Sequence, residues 1–204
     1  MASDAIKKKR LTFLSMLVTL GSFIYKVVLA SLTSSIVLFV ASASTLMVFI
    51  SKFAFVKNVT KTREKKKKAY LIMTLAAFIY SIIFILFVVL KINGIDASNQ
   101  KTYEGYIGAI FIGIMILLTV LSIIKLKDAL NKSDLLMIGL KEMTFISALS
   151  DIVIILEYIT RTVSEYKVIP ELIKANEYAP LAMGVLMLIT SIAMLRRHSR
   201  YEIN

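Results

Sequence analysis

Six apolar runs decide what this chain can fold into: Leu11–Ala30, Ser34–Val56, Ala69–Leu90, Tyr106–Leu126, Leu135–Glu157 and Tyr178–Leu195. At a rise of about 1.5 Å per residue, each can cross a hydrocarbon core of about 30 Å. A water-soluble globule of 204 residues has no interior large enough for all of them. An apolar fraction of 58% and a mean hydropathy of +0.79 say the same of the whole chain. In lipid every backbone donor and acceptor must be satisfied within the protein, which leaves helices or closed barrels. Runs of this length, with only seven Gly and two Pro, fit helices. The expected fold is an all-α integral membrane protein, a single polytopic membrane domain over 1–204 with six transmembrane helices.

The charges between the runs orient it. Of the 25 Lys and Arg, 18 lie in segments on the side of the N-terminus (7–10, 52–68, 125–132 and 196–200). Six lie on the other side (Lys26, Lys91, Lys101, Arg161, Lys167 and Lys174), and Lys141 falls inside the fifth run. The positive-inside rule then puts both termini in the cytoplasm of a cell membrane that the chain crosses several times. Lys7-Lys8-Lys9-Arg10 resembles the start of a signal peptide. No small-residue cleavage site follows, however, so the first run is expected to stay as a helix. The net charge of +12 is held in short blocks beside spans, a pattern that meets lipid headgroups rather than nucleic acid. The expected partners are the bilayer, with anionic lipid at a Lys61–Lys68 loop, and either a second copy of the chain or a partner subunit. The sequon Asn58-Val59-Thr60 falls on the cytoplasmic side and is discounted. Residues 157–178, with four Glu around Pro170, are expected to form the largest external loop, with room for a short interfacial helix.

Ionisable residues inside a span are costly and face the bundle interior or water. Lys141, Glu142 and Asp151 lie within the fifth run. At 100° per residue, Lys141, Thr144, Ala148, Asp151 and Tyr158 share one face, flanked by Ser147 and Ser150. Lys141 is placed to snorkel toward the nearer surface. Glu142 is rotated off the stripe toward a partner on another helix. Asp151, with its short stem, is the strongest functional candidate, a carboxylate suited to a proton or cation relay. Lys26 is expected to snorkel outward, and is also the nearest cation by depth to Asp151. The candidate intramembrane polar site is therefore Asp151, Lys141, Glu142, Thr144, Ser147 and Lys26. Tyr103, Tyr106, Tyr158, Tyr166 and Tyr178 read as an interfacial aromatic belt. His198, after Arg196-Arg197, reads as solvated.

Catalytic signatures are missing from the sequence. It has no Gly-x-Ser-x-Gly paired with a His, no His-Glu-x-x-His and no phosphate loop, and nothing resembles the Asp pair of intramembrane proteases. One His and no Cys leave little to serve as a base or metal ligand. The expectation is a chain that is not an enzyme, with no cofactor and no resident metal.

Shifting the chain by 99 residues aligns Ala30, Ser34 and Thr45 with Ala129, Ser133 and Thr144, the trace of a 3+3 inverted repeat. The stretch from Lys26 through Ala30 and Ser34-Ser35, and the stretch Phe145–Leu156, resemble the first hairpin and fifth helix of the cation diffusion facilitators. That resemblance covers about fifty residues and implies six helices, with the second and fifth side by side at the bundle centre. In that family's register the metal-ligand positions are occupied here by Ser44, Val48, Met143 and Ser147, and the long cytoplasmic metal-binding tail is missing. None of the four is a zinc ligand, so the resemblance implies the fold with its usual site lost. The chain also resembles uncharacterised six-helix membrane proteins of low-GC Gram-positive bacteria, which implies no activity. The expected function is a small transporter-like or permeation module using the polar stripe of the fifth helix. The alternative is a non-catalytic membrane subunit or scaffold whose basic loop docks a partner or anionic lipid.

Overall fold

The computed structural model describes residues 2–33, 36–93, 106–130, 134–164 and 169–203, and all of its regular structure is helical. The helices are α1 (Ala2–Thr33), α2 (Ile36–Asn58), α3 (Arg63–Ile92), α4 (Tyr106–Leu130), α5 (Leu135–Ser164) and α6 (Pro170–Ile203). Five of them, all but α4, carry a described stretch long and apolar enough to cross a membrane. Their outward faces are apolar, with Leu14, Val18, Ile72, Ile79, Leu117 and Ile189 among the large exposed side chains. Such a surface is compatible with lipid and unsuited to water.

Most helices overrun the apolar runs that define them. Lys and Glu propagate a helix well, so the backbone stays helical beyond bilayer length. Two expectations change for this reason. Arg63–Lys68 is not a loop but the opening turns of α3, with Arg63, Lys65 and Lys68 exposed. The large external loop expected at 157–178 shrinks as well: α5 continues to Ser164 and α6 starts at Pro170.

α5 is the organising element, packed against α2, α3, α4 and α6. α1 and α2 run antiparallel, as their side-chain contacts show: Lys52 of α2 meets Ser15 and Thr19 of α1, while Lys26 of α1 meets Thr45 of α2. Close approach is achieved with small residues. A Cβ added at Gly139 would sit 2.6 Å from the Tyr70 ring, and one at Gly184 would sit 2.7 Å from Ile85 Cγ1. Ser81 of α3 and Ser191 of α6, both fully buried, meet at 3.1 Å. The apolar core runs through Leu38, Phe55, Met73, Leu136, Met143, Ile146 and Met187. By contrast α1 packs only on α2, and α4 only on α5, among the described residues. These two outer helices flank α2 and α5 without touching each other, and a cleft opens between them.

Candidate functional site

The cleft has a volume of about 540 Å³ and is walled by α1, α2, α4 and α5. On α1 its lining runs from Lys8 to Lys26, 18 residues apart, which is roughly 27 Å along the axis. It then stops. Among the described residues, none of α1 beyond Lys26, of α2 before Thr45 or of α5 beyond Asp151 contributes to it.

What closes it is an ion pair. Lys26 Nζ donates to Asp151 Oδ1 at 2.5 Å and to Thr45 Oγ1 at 2.9 Å, so three helices meet at one ammonium. Lys26 is 3% exposed and Asp151 9%. The expectation that Lys26 snorkels outward is therefore corrected. Asp151 and Thr45 offer charge and an acceptor at its own depth, and a buried charge stays where it is paired. The same contact makes Lys26 the partner of Asp151, 125 positions away in sequence.

Of the expected α5 stripe and its flanks, Lys141, Thr144, Ser147, Ala148 and Asp151 line this cleft, whereas Tyr158 and Ser150 do not. Ser44 donates to its own helix at Ala41 O, 2.7 Å away, which leaves Ser147 to donate to Ser44 across 3.0 Å. Thus α2 and α5 are in contact at the two serines. Nearby, Tyr80 Oη and Ser150 Oγ lie 2.8 Å apart, and Tyr80 also donates to Val40 O at 3.2 Å, tying α3 to α2 and α5.

Farther along the cleft the lining turns basic. Lys52 donates to Ser15 Oγ at 2.7 Å, to Ser15 O at 3.1 Å and to Thr19 Oγ1. Lys141 of α5 and Lys125 of α4 act on it as like charges. Five lysines (Lys8, Lys26, Lys52, Lys125 and Lys141) and one carboxylate, Asp151, make up the charged lining.

Glu142 is the one candidate that does not belong to the cleft. It lies on the other side of α5, 2% exposed, bonded to Arg197 of α6 and accepting from Tyr70 Oη at 3.2 Å. His198 stacks on Tyr70 with ring centroids 6.4 Å apart and is 8% exposed, which corrects the solvated position expected of it. α6 remains helical past Leu195 and turns that face onto α3. Of the tyrosine belt, Tyr178 is exposed and Tyr158 half-buried, while the side chains of Tyr103, Tyr106 and Tyr166 lie outside the described residues. The sequence reading missed Tyr70, Tyr80 and Arg197. A tyrosine in mid-run was the available signal for Tyr80, and nothing marked the other two.

Among the described residues no cluster of three or more His, Cys, Asp or Glu could hold a metal ion. No family model, curated protein or solved structure matches the chain.

Proposed function

We propose that the chain is a six-span membrane protein with both termini in the cytoplasm, acting as a small transporter-like permeation module. The observation that supports this is where the cleft ends: at a buried ion pair between helices that are otherwise apart. Among the described residues α1 packs on α2 alone, and Lys26–Asp151 is a hydrogen-bonded tie from it to α5. α1 can then shift against α5 once that tie is broken, while α2 stays packed on α5. On this reading the protein is open toward Lys8 and shut at Lys26–Asp151, and a cargo that offers either charge a substitute partner favours the opened state.

The experiment is flux through purified full-length protein in sealed vesicles, followed with a trapped pH dye and with labelled inorganic phosphate. Asp151→Asn keeps the fold, judged by its elution and helical content, and abolishes any coupled flux. If Asp151→Asn alters neither flux nor stability, the pair is no gate. A second reading has one observation in its favour: the exposed Arg63, Lys65 and Lys68 on the first turns of α3 could dock anionic lipid or an acidic partner subunit. That reading predicts silent vesicles, and binding lost when those three charges are removed.

A further inference from the structure

We infer that the basic stretch of the cleft, where Lys52, Lys125 and Lys141 converge with Ser122, binds a phosphate-type oxyanion. The inference rests on the permeation reading for the anion's role as cargo, but binding itself is measured without any flux.

Three observations meet there. The first is charge: lysines from α2, α4 and α5 line one stretch of the cleft, beside a carboxylate already engaged by Lys26. Several ammonium groups gathered in a partly dehydrated cleft are costly alone and favourable around a dianion. The second is a waiting donor. Ser122 of α4 lines the cleft, is 5% exposed, and its Oγ has no hydrogen-bond partner. Most serines and threonines of the bundle, such as Ser51, Thr74, Ser81, Thr144 and Ser191, are satisfied by their own helix. A buried hydroxyl without a partner points to a ligand that supplies one. The third is preorganisation. Ser15 and Thr19 hold the Lys52 ammonium in place across the α1–α2 contact, so little side-chain freedom remains to be lost on binding.

The sign of the lining favours an anion over the cation relay that Asp151 alone suggests. A tetrahedral oxyanion can accept from Lys125, Lys141 and a hydroxyl at once, with the charge of Lys52, whose three protons are held by Ser15 and Thr19, fixed beside it. Because α1 and α4 do not pack together, the cleft also opens sideways, past Leu11, Val18, Leu118 and Leu121. The phosphate can therefore belong to a free ion or to a phospholipid headgroup whose chains lie along those residues.

The test uses the full chain in nanodiscs of neutral phosphatidylcholine, titrated calorimetrically with inorganic phosphate. In parallel, discs containing phosphatidylglycerol are analysed by native mass spectrometry for retained lipid. Phosphate binding that weakens at least tenfold in Lys52→Gln/Lys141→Gln, and measurably in Ser122→Ala, establishes a free-ion site. No phosphate binding, but retained phosphatidylglycerol that is lost in the same variants, establishes a headgroup site. Should the double variant fail to fold, Lys125→Gln and Ser122→Ala decide the matter by the same readouts. Neither ligand binding, or binding indifferent to all these substitutions while Arg63→Gln/Lys65→Gln/Lys68→Gln removes it, overturns the inference. Asp151-dependent flux with no anion binding sinks this inference and spares the permeation reading. Anion binding without flux does the reverse.

Discussion

Two of the buried carboxylates on α5, Glu142 and Asp151, stand nine residues apart, and the protein treats them differently. Glu142 is enclosed by α3 and α6, with Arg197 and Tyr70 bonded to it and His198 stacked on the tyrosine. Asp151 is bonded to one ammonium and borders a cleft of about 540 Å³. One ion pair is held by several bonds among packed helices with its Arg197 end 31% exposed, while the other, enclosed at both ends, stands where the cleft stops. A packed, many-bonded pair locks an arrangement, because losing one partner strands a buried charge. A pair at the edge of a cleft can exchange partners, because water or a ligand can replace what is lost. On the proposed permeation reading, α2, α3, α5 and α6 form the frame and the outer helices α1 and α4 border the binding part, with α5 the wall between the two carboxylates.

That contrast fixes an order of effects. The largest is expected at the many-bonded pair: Arg197→Gln should cost about 3–5 kcal/mol, since the buried Glu142 keeps only the tyrosine. Adding Glu142→Gln should recover a good part of that loss in detergent-driven unfolding. Next comes Gly139→Ala, whose new methyl meets the Tyr70 ring at 2.6 Å and should cost about 1–3 kcal/mol. Asp151→Asn should destabilise less, by about 1–2 kcal/mol, because the isosteric Asn amide oxygen and Thr45 can both still accept from Lys26. If Asp151→Asn costs as much as Arg197→Gln, the two sides of α5 are alike and the contrast fails. The smallest effect belongs to Ser122→Ala, within about 0.5 kcal/mol, since no bond within the protein is lost.

The polar stripe of α5 was legible in the sequence because a helix imposes its own period. Lys141, Thr144, Ser147 and Asp151 needed only 100° steps to share a face, and they line one cleft. Helix number followed in the same way from runs of lipid length. Partners across helices were harder. Depth alone pointed from Asp151 to Lys26, yet whether a lysine one turn from a helix end turns out to the surface or in to a carboxylate depends on what stands opposite. Here Thr45 and Asp151 stand opposite. Arg197 and His198 look like any basic flank after a span, and only the continuation of α6 along α3 turns them inward. The helix ends were misplaced because apolarity marks the membrane-length part of a helix, whereas Arg63–Lys68 and Glu157–Ser164 are helical by propensity and packing.

Thr144 and Met143 are neighbours on α5, at nearly the same depth, and they point to opposite sides of the contrast. Thr144 lines the cleft, while Met143 is 1% exposed in the core. The chain has no cysteine, so Thr144→Cys and Met143→Cys each carry a single thiol. The decisive measurement is the rate at which a small, charged, water-soluble thiol reagent modifies each folded variant. The open-cleft account predicts ready modification at 144 and near-complete protection at 143, with the rate at 144 slowed by the anion that occupies the lysine cluster. Equal protection at both positions, or faster reaction at 143, would contradict it.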